Sequence, residues 1–222
     1  MLYAASVAEP AAAPTVPRLR GRIHQGACAV SLVGLAWLVL HARSGRALVA
    51  AWVFGSAMVL LYLASSSYHV LARGPRVRAV MRRLDHSMIF VLIAGTYTPV
   101  CLLALDGWWG VGLLVAVWIG ALVGIALKVA GLERFQRISG PLYLVLGWLA
   151  VVAAPQLVER TDMVVLGLAG GLLYTVGAVL FTLQVPGRVA TWFGYHEWWH
   201  AFTFAAGACF FAMNARLIVG AS

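Results

Sequence analysis

The chain has 222 residues, of which 63% are hydrophobic and 10% charged, with a mean hydropathy of +0.91 and a formal net charge of +9. Soluble domains carry roughly 25% charged residues, so an ordinary water-soluble fold is excluded. The arginines fall in short stretches between apolar runs, which marks them as topology signals and not as a nucleic-acid face.

Met1 to Pro17 is rich in Ala and Pro and has no basic residue. It lacks the charged start of a signal peptide and reads as a disordered tail, leaving 18–222 as one membrane domain. Apolar runs long enough to cross a bilayer then recur. They predict spans at 25–42, 47–71, 85–105, 109–130, 139–157, 163–184 and 195–219. The expected fold class is all-α: a polytopic bundle of seven transmembrane helices with short loops. Gly120 and Gly124, and Gly167 and Gly171, are spaced to let helices approach closely. Trp108 and Trp109 fall near one interface and Trp192, Trp198 and Trp199 near the other, as an aromatic belt would place them.

Orientation follows from the basic residues. Arg18, Arg20 and Arg22 precede the first span; Arg73, Arg76, Arg78, Arg82 and Arg83 follow the second. Lys128, Arg134 and Arg137 follow the fourth, and Arg188 the sixth. Arg43, Arg46, Arg160 and Arg216 are left for the other side. Twelve of the 16 therefore lie on one side, and the positive-inside rule puts the N-terminus in the cytoplasm and the C-terminus outside.

On that map Ser65, His69, Asp85, His196 and His200 all fall at cytoplasmic helix ends, from three separate stretches of sequence. Ionisable groups at the centre of a span cost about 2.5–3.5 kcal/mol on insertion scales, so a functional site is the default reading. His196 and His200 are four apart and share a helix face, as do Ser65 and His69. With His69 the pair supplies three imidazoles, the ligand count of a zinc site that keeps a position open. Imidazole also suits copper, nickel and iron. Cys28, Cys101 and Cys209 are scattered, with no CxxC pair. His41 and His86 read as interfacial, and Thr96 and Tyr97 as packing and hydrogen-bonding residues.

His196-Glu197-Trp198-Trp199-His200 also fits HExxH, the zincin protease pattern, and Leu105-Asp106-Gly107 looks like its aspartate partner. The topology puts Asp106 across the bilayer from the histidines, the order is reversed, and His69 and Asp85 would have no role. A protease is therefore set aside.

Three stretches together resemble the bacterial haemolysin III proteins, relatives of the progestin and adipoQ receptors. They are Ser65-Ser66-Ser67-Tyr68-His69; Leu84-Asp85-His86-Ser87-Met88-Ile89-Phe90 with Gly95-Thr96-Tyr97-Thr98-Pro99; and His196-Glu197-Trp198-Trp199-His200. The resemblance spans roughly 18–219. It implies seven helices with the N-terminus inside and a Zn2+ ion held by His69, His196 and His200. It also implies that Asp85 holds or activates water there, with Ser65 beside the site. The wider superfamily includes alkaline ceramidases, which hydrolyse a lipid amide. Arg20-Gly21-Arg22-Ile23-His24 departs from the more acidic or Asn-rich pattern of many relatives, which leaves His24 without a role.

The expected protein is thus integral to the bacterial cytoplasmic membrane, with lipids as surroundings and substrate and no nucleic-acid partner. The favoured reading is a metal-dependent lipid amide or ester hydrolase, with Asp85 as general base and Ser65 orienting the reacting oxygen. The alternative is a zinc-stabilised sensor or regulator of membrane fluidity that turns nothing over. A pore-forming cytolysin is disfavoured, because the outer half has no polar stripe along several spans.

Overall fold

The computed structural model describes residues 17–131, 133–187 and 192–221, with the backbone alone at 133–138 and 154. The expected N-terminal tail, apart from Pro17, and the topology residue Arg188 lie outside the described residues. Every regular element among the described residues is helical. In chain order these are α1 (Arg22–His41), α2 (Gly45–Val70), α3 (Pro75–Leu103), α4 (Gly107–Val129), α5 (Glu133–Trp148), a 3-10 segment (Leu149–Ala153), α6 (Ala154–Leu157), α7 (Thr161–Leu183) and α8 (Tyr195–Gly220).

Six of them, α1–α4, α7 and α8, are long and apolar enough to cross a membrane. Their outward faces are apolar: Val33 is 71% exposed, Leu40 81% and Trp108 88%. In water such surface would be costly, whereas in lipid it costs nothing. The core is built by α2 and α3, which pack on each other and on α1 and α4, while α8 leans chiefly on α7. The predicted close approaches occur at Gly124, where the Phe90 ring fills the space a side chain would need, and at Gly120, which faces Leu146.

The fifth predicted span, 139–157, is helical but broken, and one hydroxyl accounts for much of the break. Tyr97 Oη donates to Leu146 O (3.0 Å) and Gly147 O (2.7 Å) and accepts from Ala150 N (2.6 Å). A continuous α-helix would join Leu146 O to Ala150 N directly, so the inserted hydroxyl opens the ladder and the chain tightens into the 3-10 segment. Pro155 then prevents the ladder from closing again.

α3 begins ten residues before the expected 85. Gly74, with φ 77°, makes the turn and Pro75 starts the helix. The arginines of 76–83 extend the helix beyond its apolar part, so Asp85 does not open the helix but sits about 15 Å along α3, at 1.5 Å rise per residue, where its apolar part begins. Lys128, counted above as a topology signal, is 2% exposed and its ammonium donates to Ser139 Oγ at 2.8 Å.

Candidate metal centre

Four helices, α1, α2, α3 and α8, and the segment ahead of α1 converge at one end of the bundle. The last turn of α2 carries Ser65 and His69, and α3 brings Asp85. The first turns of α8 bring His196 and His200 one above the other, as a spacing of four requires.

The three histidines meet. Their ligand atoms all lie within 4.8 Å of one another, and Nε2 of His69 is 3.2 Å from Nε2 of His196. Tetrahedral zinc with Zn–N bonds of 2.0–2.1 Å holds its nitrogens about 3.3 Å apart, close to that spacing. His200 is 2% exposed and its Nδ1 has no hydrogen-bond partner. A buried polar atom left without a partner calls for an explanation, and a bound ion is one. Three uncharged imidazole nitrogens suit a borderline metal and would not hold calcium or magnesium, which take oxygen. The donor set therefore fits a transition-metal ion.

Ser65, 2% exposed, is a neighbour of the Asp85 carboxyl. Its Oγ is also 2.8 Å from Nδ1 of His24. His24 is the residue sequence reasoning left without a role. Only 3% exposed, it stacks on His200 with ring centroids 3.9 Å apart and planes 14° apart. Its Nε2 is 2.9 Å from Thr203 Oγ1, and Thr203 donates in turn to His200 O at 2.9 Å. Thr203, His24, Ser65 and Asp85 thus form one chain of polar groups along the metal cluster. Because the Thr203 hydroxyl donates to His200 O, it accepts from His24 Nε2–H, and His24 Nδ1 accepts from Ser65 Oγ. Turning the Thr203 hydroxyl from His200 O to His24 Nε2 would invert the ring's tautomer and free Ser65 to donate to Asp85. One signal pointed to His24 in the sequence: it lies at the same arginine-marked helix ends as the other site residues. Nothing marked Thr203 beyond its place one turn after His200.

Glu197, the central acid of the HExxH reading, faces away from this work. Fully buried, it accepts from Arg20 Nε (2.5 Å) and from Gly194 N (2.8 Å), where it caps α8. Asp106 is exposed at the far end of α3, its backbone N bonded to Gln156. With 20 residues between them it stands about 30 Å along the bundle from Asp85. The geometry gives a protease reading neither its base nor its third ligand. His41 is exposed and bonds its own helix at Trp37 O, in keeping with an interfacial residue, and the His86 carbonyl accepts from Tyr143. Thr96 bonds Leu92 O within its own helix.

Comparison with known proteins agrees with this architecture. The family model described as "Haemolysin-III related" matches residues 13–211. A curated relative named "Hemolysin-3" from Bacillus cereus is 38% identical over 188 residues, covering 82% of each chain. A "Hemolysin-3 homolog" from Bacillus subtilis (strain 168) is 36% identical over 188 residues, covering 82% of this chain and 84% of the relative. The chain is an integral membrane protein and belongs to the haemolysin III family.

Proposed function

We propose that the protein is a zinc-dependent hydrolase of a lipid amide or ester, working at the cytoplasmic face of a seven-span membrane domain that covers 18–222. In this reading 139–157 completes the count of seven despite its break, the N-terminus is inside and the C-terminus outside. The arginine distribution supports that orientation; burial of Lys128 removes one charge from the excess and leaves its sign unchanged.

The observation that carries the reading is the meeting of His69, His196 and His200, with Asp85 and Ser65 in the polar chain beside them. Bound there, zinc supplies Lewis acidity, polarising a carbonyl and making water a better acid. Asp85 takes the proton from the attacking water and returns it to the leaving nitrogen or oxygen. Ser65 fixes the carboxyl and, released from it, can donate to the oxygen on which negative charge grows. His24 and Thr203 hold Ser65 and His200 in register.

A second reading has its own support. α2 packs chiefly on α1 and α3, and α8 on α7, so an ion bound by His69 on one side and His196 and His200 on the other ties together helices that share little direct contact. Such a tie would serve a sensor or regulator of the membrane without turnover. The name of the haemolytic relatives fits either activity, since both alter membranes.

Purified protein assayed on lipid amides and esters decides between the two. Asp85→Asn is expected to retain metal and lose about 10²–10⁴-fold in turnover, the usual worth of a positioned base. Wild-type turnover matched by Asp85→Asn would remove Asp85 from the chemistry. A metal-loaded wild type that hydrolyses none of these lipids would favour the second reading.

A further inference from the structure

Glu197, the most buried charged side chain among the described residues, lies between the α8 ligands in sequence and is not used by the reading above. Glu197 is 0% exposed and both its oxygens are occupied, Oε1 by Arg20 and Oε2 by Gly194 N. Arg20 arrives from the segment ahead of α1, 177 residues away in sequence, and its side chain is 22% exposed. That segment is held against the site. Leu19 N donates to Trp192 O at 3.3 Å, and the Arg18 guanidinium lies 4.9 Å over the Trp192 ring. A side chain added at Gly21 would meet the Cβ of His69 at 2.6 Å. The Arg20 guanidinium is accordingly near enough to act electrostatically on His69, His196 and His200 alike.

A fixed cation beside three uncharged imidazoles opposes a divalent cation, and the low dielectric at this depth strengthens the opposition. Glu197 stands between the two ligands of α8 in sequence and neutralises that cation. It also sets the start of α8, through Gly194, one residue before His196 comes within reach of His69. We propose that Glu197 is the charge-balancing and positioning residue of the metal centre, acting on Arg20 and not on substrate. The proposal rests on the metal-centre reading and extends it to residues outside the ligand set. It also accounts for an HExxH sequence in a protein whose glutamate does not face the cluster.

The test uses the full chain in detergent micelles, with Zn2+ affinity from chelator competition and the visible absorption of bound Co2+ as a report on ligand geometry. Glu197→Gln keeps an oxygen for the Gly194 cap and removes the charge. It is expected to weaken Zn2+ binding about 10–100-fold, the usual effect of losing a partner outside the ligand set, with an altered Co2+ spectrum. Arg20→Met combined with Glu197→Gln removes both charges and is expected to recover most of that loss. Arg20→Met alone leaves an anion beside the site and should bind Zn2+ at least as tightly as wild type. A folded Glu197→Gln with wild-type affinity overturns the proposal, as does a double variant as weak as Glu197→Gln. If Glu197→Gln does not fold, weaker binding by Arg20→Met overturns it. A wild-type protein that binds no transition metal would overturn this proposal together with the metal-centre reading, whereas a metal-binding wild type matched by Glu197→Gln would overturn this proposal alone.

Discussion

Removal of the metal should loosen the junction between α2 and α8, and the effect should depend on His69. His69 is the one ligand supplied by α2; His196 and His200 both come from α8. In the wild type a bound ion therefore links two helices. In His69→Ala an ion can still bridge the α8 pair, but it then joins α8 only to itself. An ion that binds the folded state and not the unfolded one stabilises by RT ln(1 + [M]/Kd), about 2.7 kcal/mol at 100 Kd and about 4.1 at 1,000 Kd. Chelation should lower wild-type stability by that amount, and readdition of zinc should restore it. His69→Ala should be less stable at the outset and nearly indifferent to chelator. The assay is reversible denaturant unfolding in micelles, followed by tryptophan fluorescence, at fixed free-metal concentrations. The nine tryptophans include Trp198 and Trp199 beside the ligands, which gives the signal. A His69→Ala protein that loses as much stability to chelator as wild type would refute the cross-brace.

Three further substitutions probe the frame of the bundle. Gly21→Ala puts a side chain at φ +79° and 2.6 Å from the His69 Cβ, so it should cost about 1–2 kcal/mol from the left-handed backbone alone and lower the metal content. Gly26→Ala, in the α1 helix that follows and with nothing within 4 Å, should be neutral or slightly stabilising in the same unfolding assay. Tyr97→Phe removes the hydroxyl from the opened ladder of α5 and leaves the backbone groups of Leu146, Gly147 and Ala150 to find new partners where there is little water. A loss of about 1–3 kcal/mol is expected, with faster amide exchange around 146–150, and unchanged stability would show that the hydroxyl does not hold the break.

Much of this was legible in the residues. The apolar runs were long enough to be read as helices, and their ends came out within a few residues for α1, α2, α4, α7 and α8. The histidine pair was legible because a spacing of four has one meaning on a helix. His69 was legible as their partner because the arginines, counted without it, put its helix end on the same side. What escaped depends on contacts across the fold. A hydropathy pattern continues through 149–153, yet Tyr97, 53 residues before Ala150, interrupts the ladder there. The early start of α3 was hidden because its arginines break the apolar pattern without breaking the helix. Glu197 stood in the sequence only as part of the HExxH pattern, and its partner Arg20, 177 residues away, leaves no local trace. His24 stood in a stretch that departs from the pattern of many relatives, and its partners come from α2 and α8, which no spacing within its own segment can announce.

The central claim is that His69, His196 and His200 hold one transition-metal ion. Metal content by mass spectrometry on purified protein, comparing wild type with the His196→Ala/His200→Ala double variant, tests it most directly. The account predicts close to one zinc per wild-type chain and none in the variant. Well-folded wild type without stoichiometric metal, or a double variant that keeps its zinc, would contradict it.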